Sequence, residues 1–285
     1  MRPLLVLLAA KSCNGITDKS IRTAVVLELL HTASLVHDDV VDNSLLRRGQ
    51  PSVNAQIGNK AAVLTGDWLL ARAIEETAAL RNTKILNIVS GIGQSLAQGE
   101  LLQLHADGNI WIDEKRYFDI ITHKTAALFA ACTGAGAYSS GGTDRQVRAL
   151  EEFGKQLGIA FQLKDDILDY SEQDIGKPTL ADIADGKATL PLIISLQRAP
   201  KAESDKIKAL ADTFVTQGKT MTEQERDAAL QTIYAFVIRY DGIGYAMKKM
   251  EQHKQQAIQS LDVFHNAPAK SALIQLLQYC IVREY

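Results

Sequence analysis

Cysteine, net charge and long apolar runs are all in short supply. The three cysteines, Cys13, Cys132 and Cys280, are odd in number and far apart, and none belongs to a CxxC pair. That excludes a disulfide framework and a thiolate zinc site, and it fits a reducing cytoplasm. A formal net charge of -2 supplies no basic field of the kind that draws nucleic acid, so none is expected as a partner. No apolar stretch approaches the roughly twenty residues needed to span a bilayer, so no transmembrane segment is expected. Neither GxxxxGK[S/T] nor GxGxxG after a strand occurs, which removes the common nucleotide-binding loops. Alternating strand patterns are missing too.

What is present reads as helix. With 285 residues, 46% hydrophobic and 22% charged, the chain can bury a sizeable core. Segments rich in Ala, Leu, Gln, Glu and Lys, roughly 19–45, 56–80, 83–105, 113–138, 144–170, 186–198 and four more to the C-terminus, are separated by RRGQPSVN, HADGNIW, YSSGGTDR and SEQDIGKP. IRTAVVLELLHTASLVH is apolar on more than one face, which marks a central helix of a large bundle. An all-α single domain over 1–285 follows. Gly154 and Gly158, four apart, give a neighbouring helix room to come close. The opening MRPLLVLLAAKSC has two readings, a short secretory signal or the tail of a core helix. Lys11 stands where a small-residue cleavage site belongs, which favours the core helix.

Two acidic clusters stand out from this apolar background. LVHDDVVDNSLLRRGQ carries Asp38, Asp39 and Asp42, and FQLKDDILDY repeats the spacing with Asp165, Asp166 and Asp169. On a helix, positions i and i+4 share a face and i+1 lies about 100° round, so each cluster stacks two carboxylates with a third beside them. Alone, either cluster reads more readily as an exposed acidic turn or a helix end than as a functional site. The repetition favours function. Oxygen ligands without histidine or thiolate select a hard cation, Mg²⁺ or Mn²⁺, and Mg²⁺ prefers a few carboxylates completed by water and phosphate oxygens. A metal-bound phosphate ester is the expected ligand. Arg47, Arg48, Lys124, Lys177 and Lys187 could each be a solvated surface charge, but together they could surround such an anion.

HTASLVHDDVVDNSLLRRG, HKTAALF, FQLKDDILDY and DGKATLPLI closely resemble the trans-isoprenyl diphosphate synthases, in particular the polyprenyl branch that includes octaprenyl diphosphate synthases. The resemblance runs from Arg2 to the closing YCIVREY. It implies an isoprenoid-synthase-type helical bundle around a deep central cavity, usually a homodimer. The implied substrates are isopentenyl diphosphate and an allylic diphosphate such as farnesyl diphosphate, with three Mg²⁺ expected on the allylic diphosphate and Mn²⁺ as a possible substitute. By resemblance Asp38, Asp42 and Asp165 are the principal metal ligands, with Asp39, Asp166 and Asp169 as further ligands or as partners through water. Arg47, Lys124 and Lys187 then contact the allylic diphosphate with Lys177 nearby, and Thr125 and Gln162 place oxygen near the reacting cation. Arg2, His31 and Arg48 match positions that hold the metal-free diphosphate. Without the resemblance, His31 reads as a satisfied core histidine.

Relatives carry a glycine-lysine pair just before the arginine-proline seen here as Arg2-Pro3, and one or two helices before that, so the domain is expected to lack its first one or two helices. Product length is expected to depend on Ala33 and Ser34, just below the first cluster, and on Leu30 a turn further down. Ala33 and Ser34 are small where short-chain members place aromatic floors, although small residues also serve simple helix packing. An open shaft past Leu30, closed near Leu101 and His105, predicts a medium-to-long all-trans product of about six to ten units, each unit being close to one helical turn. The alternatives are a geranylgeranyl-length product, a non-catalytic subunit of a heteromeric synthase, and, least favoured, a terpene cyclase.

Overall fold

Punctuation residues set the helix ends. The computed structural model of the chain describes residues 1–106, 112–171, 180–217, 221–265 and 268–283. In chain order the helices are α1 (Arg2–Ser12), α2 (Asp18–Val41), α3 (Val53–Ile57), α4 (Asn59–Ala79), α5 (Thr83–Ala106), α6 (Glu114–Ile121), α7 (Ala127–Ser139), α8 (Asp144–Leu168), α9 (Ala181–Ala184), α10 (Leu190–Arg198), α11 (Lys201–Gln217), α12 (Glu223–Arg239), α13 (Gly242–Ser260) and α14 (Pro268–Val282). A π-helical turn, Thr122–Ala126, joins α6 to α7, and a 3₁₀ turn, Leu261–Val263, follows α13. The all-α expectation holds. The one pairing of strands among the described residues is a two-residue hairpin, β1 (Leu46–Arg47) with antiparallel β2 (Gln50–Pro51).

Local chemistry explains where the expected spans shift. The first helix was expected to reach residue 45 and stops at Val41, because Asn43 turns left-handed at φ 51° and the chain enters the hairpin. Gly58, at φ 81°, splits the expected 56–80 helix into α3 and α4. The helix expected from 186 starts only at Leu190, with Pro191 in its first turn, where a missing N–H costs nothing. At the start of α2, Thr17 and Ser20 form a reciprocal capping box with both bonds at 3.2 Å.

The chain forms two compact units. The first comprises Met1–Leu96, Ala127–Lys155 and Ile258–Gln275. Its most enclosed element is α7, with Leu128, Phe129, Cys132, Ala135 and Ala137 all buried. A Cβ on Gly136 would meet Val6 O at 2.4 Å, so α1 packs directly on α7 and buries Leu5, Val6, Ala9 and Ala10. The opening apolar run is a core helix. A Cβ on Gly154 would lie 2.5 Å from Phe129 O, which makes that glycine the close-approach point between α8 and α7. The second unit comprises Ala97–Ala126, Gln156–Ala257 and Leu276–Tyr285, and its core joins Tyr170, Leu180, Ile183, Leu192, Ile233 and Phe236. Among the described residues no helix is long and apolar enough to cross a membrane.

Candidate active site

In the first unit, the last turn of α2 carries the first acidic cluster. Asp38 is half-buried, Asp39 buried and Asp42 exposed. The turn after α2 folds back on Asp39. Ser44 N–H and Asn54 Nδ2 both donate to its carbonyl, at 2.9 and 3.2 Å. Arg48 and Gly49, at φ 53° and 75°, form the hairpin tip, which returns Arg47 to the Asp39 carboxylate. Arg47 Nε donates at 2.9 Å, and Nη2 bonds the same oxygen. Asp39 is therefore taken up by Arg47, leaving Asp38 and Asp42 as the more open pair. The arginines lie on the hairpin, within the RRGQPSVN stretch that the sequence marks as a break between helices.

Two turns before Asp38 on α2, His31 is buried. Burial pushes its pKa down to about 3, helped by the positive charges of Arg2, Arg48 and Arg47 and by the terminal amine. The expected residues of the metal-free diphosphate site do lie within electrostatic reach of one another. The Arg2 guanidinium carbon sits 5.6 Å over the Phe129 ring, and its Nε is buried with no hydrogen-bond partner among the described residues. Leu30 and Ala33 are buried, and the Ser34 hydroxyl donates back to His31 O at 2.9 Å. Leu101 is 67% exposed, and His105 is exposed as well.

In the second unit, a cavity of about 150 Å³ gathers Lys124, Thr125, Gln162, Asp166 and Lys187 in one wall. Its polar lining is an ordered chain. Thr125 Oγ1 donates to Gln162 Oε1 at 2.9 Å, Gln162 Nε2 donates to Asp166 Oδ1 at 2.9 Å, and Tyr117 donates to Asp166 Oδ2 at 2.6 Å. Asp165 accepts from Arg283, whose guanidinium carbon stacks 3.9 Å over the Phe161 ring. Asp169 accepts from the N–H groups of Ala181 and Asp182. Lys177 lies outside the described residues.

Electrostatics single out the same place. Burial raises Asp165 to about 6, against the pull of Arg283. It raises Asp166 to about 7 despite the hydrogen bonds from Tyr117 and Gln162. Asp182 is raised too, by burial and then by Asp169. Asp182 pushes both Asp165 and Asp166 upward, so the cluster gains from any cation placed beside it.

The π-helical turn delivers Lys124 and Thr125 to this wall. Such single-turn widenings recur at functional sites. Lys124 Nζ pairs with Glu100 Oε2 at 2.8 Å. Tyr117, Glu100 and Gln103 escaped the sequence reading because a single polar residue in a periodic helix carries no mark of burial, and Asp182 because it falls between the helices that the sequence marks. Arg283 was passed over inside YCIVREY for the same reason.

Residues 1–231 match the Polyprenyl synthetase family. The chain belongs to that family. It is 37% identical over 287 residues to the octaprenyl diphosphate synthase of Haemophilus influenzae, covering all of this chain and 84% of that protein. The polyprenyl synthase of Caulobacter crescentus, solved with calcium and isoprenyl diphosphate, superposes with a TM-score of 0.87 at 33% identity, over 100% of this chain and 84% of that one. The geranylgeranyl pyrophosphate synthase of Bacteroides thetaiotaomicron gives 0.84 at 39% identity, over 99% and 87%. The polyprenyl synthetase fold is thus the fold of this chain.

Proposed function

We propose that the protein condenses isopentenyl diphosphate with an allylic diphosphate to build a medium-to-long all-trans polyprenyl diphosphate. The observation that carries this reading is the second-unit cavity, where Lys124 and Lys187 stand beside Thr125, Gln162 and Asp166, in a chain of the polyprenyl synthetase family. The C–O bond of the allylic diphosphate breaks and pyrophosphate leaves with the bonding pair. The alkene of isopentenyl diphosphate forms the new C–C bond, and loss of a proton restores a double bond. No protein nucleophile is needed. Lys124 and Lys187 bind the departing pyrophosphate as fixed positive charge. Thr125 and Gln162 present oxygen to the carbon skeleton, and the apolar wall of Ile112, Ile120 and Ile121 excludes water.

The donor chemistry fits a hard divalent cation. Among the described residues no group of three or more His, Cys, Asp or Glu side chains is arranged to hold a metal ion by itself. A few carboxylates completed by diphosphate oxygens and water are what Mg²⁺ takes. By the family resemblance, Asp38 and Asp42 of the first unit would each offer a carboxylate to Mg²⁺, as would Asp165 of the second, and Mg²⁺ would supply charge neutralisation of the leaving pyrophosphate. Arg2, His31 and Arg48 would bind the metal-free diphosphate, with the unpaired Arg2 Nε supporting that role. Leu64 and Trp68 of α4, 67% and 66% exposed, support a homodimer in which a second copy covers them.

The test is to incubate the purified protein with labelled isopentenyl diphosphate, farnesyl diphosphate and Mg²⁺, and to separate the products by chain length. Products of about six to ten units, each close to one helical turn in length, are expected. A product of geranylgeranyl length would move the protein to its second reading, which the likeness to the Bacteroides thetaiotaomicron enzyme favours. Product only with a partner subunit, or a cyclic hydrocarbon, would overturn the proposal.

A further inference from the structure

The third aspartate of the second cluster has a different task from the other two. Asp169 is only 9% exposed. Its Oδ1 accepts from Ala181 N–H at 2.7 Å, its Oδ2 from Asp182 N–H at 3.2 Å, and its carbonyl from Leu180 N–H at 3.1 Å. One residue thus holds three successive backbone donors. Leu180 lies in the left-handed region at φ 45° with its side chain wholly buried. A leucine keeps that strained conformation only where its surroundings enforce it.

Downstream, the held segment carries two of the charged side chains of the cavity. Asp182 lines it directly, and Lys187, also on the wall, is tied in through its own N–H, which donates to Asp182 O at 2.8 Å. The far end is secured by the residue after Asp169, in the turn that follows α8, since the Tyr170 hydroxyl and Thr189 Oγ1 lie 2.8 Å apart. Asp169 and Tyr170 therefore grip both ends of the 180–189 stretch.

We infer that Asp169 is a positioning residue, which sets Asp182 and Lys187 in the cavity wall through the backbone of residues 180–182 and does not ligate metal. This rests on the prenyl-transfer reading for what Lys187 contacts. A misplacement of about 1 Å in such a group can cost on the order of a hundredfold in rate, so a backbone clamp is a functional part.

Two variants and three measurements test it. Asp169→Asn keeps the shape and one acceptor oxygen, whereas Asp169→Ala removes both acceptors. Amide hydrogen exchange at Ala181 and Asp182, which needs no turnover, should accelerate by on the order of tenfold in the Asn variant and more in the Ala variant, as the local opening cost falls. The Mg²⁺ concentration for half-maximal activity should stay within about twofold of wild type, while KM for the allylic diphosphate rises by roughly threefold to tenfold with the loss of aligned charge-assisted contacts. Asp165→Asn serves as comparator and should shift the Mg²⁺ requirement. Unchanged exchange at Ala181 and Asp182 in the Asn variant, or a shift of its Mg²⁺ requirement matching that of Asp165→Asn, would overturn the inference. If wild type forms no product, the prenyl-transfer reading fails, and the exchange measurement still decides the clamp.

Discussion

Replacing Gly99 by alanine tests how tightly the cavity wall is built. A Cβ there would lie 2.7 Å from Lys124 N, 2.9 Å from Lys124 Cα and 3.0 Å from His123 C. Ordinary contact begins at 3.4 Å, so α5 and the π-helical turn must part by roughly 0.7 Å in a region packed at crystal-like density. All three atoms are backbone, and no rotamer change relieves them. Overpacking of this kind costs about 1–3 kcal/mol, against a gain of about 1 kcal/mol for alanine over glycine in a helix. Gly93 on the same helix meets nothing within 4 Å, so Gly93→Ala keeps the gain without the cost. The two variants should differ by about 1–3 kcal/mol, a few degrees in melting temperature. Gly99→Ala should also raise KM for the allylic diphosphate severalfold, because Lys124 is displaced, while Gly93→Ala leaves it unchanged. Thermal melts and initial rates on both proteins decide the matter. Wild-type melting and KM in Gly99→Ala would refute the close-approach reasoning.

The other predictions concern charge, ligand and product. His31 titrates at about 3 when folded against 6.5 unfolded, so its neutral form contributes stability that is full above pH 6.5 and lost as pH falls toward 3. Between pH 6.5 and 5 the loss approaches 2 kcal/mol, and His31→Gln should lose correspondingly less in a melt. Asp165 and Asp166 act with the opposite sign, since their raised pKa values favour folding at lower pH, but they are common to both proteins and cancel in the difference. Mg²⁺ with pyrophosphate should stabilise the fold more than either alone, by about 2.7 kcal/mol at a hundredfold excess over Kd, and raise the melting temperature accordingly; equal melting of the free and doubly liganded protein would oppose the site. Ala33→Phe should shorten the products while condensation continues, and an unchanged chain-length profile would show that the tail does not pass Ala33.

The helices were legible because glycine, proline and polar clusters interrupt long apolar periods, and most boundaries fell near them. The end of α2 was not. Nothing in DNSLLRRG reveals that Asn43 and Arg48 take left-handed conformations, which depend on bonds made across the turn, such as Asn54 to Asp39 O. The acidic clusters were legible as a repeat, but the division of labour among six similar side chains was not. Asp39 belongs to Arg47, Asp166 to Tyr117 and Gln162, and Asp169 to a backbone segment more than ten residues later. Apart from Gln162, one turn before Asp166 on the same helix, those partners lie eight or more residues away and carry no helical spacing signal. The π-helical turn is likewise a backbone event that HKTAALF does not announce.

The hydrogen-bonded chain from Thr125 to Asp166 has a direction. Thr125 gives its single hydroxyl hydrogen to Gln162, and Gln162 gives an amide hydrogen to Asp166. Every dipole in the row points its positive end toward the buried carboxyl group. The Thr125 oxygen can then offer the cavity only lone pairs. A positive charge developing beside it meets dipoles already turned the right way, with no reorientation to perform at the moment of reaction. Water in the same place would have to turn. The orientation is also brittle: glutamate at position 162 could not donate to an ionised Asp166, and the row would lose its polarity although each residue kept its shape.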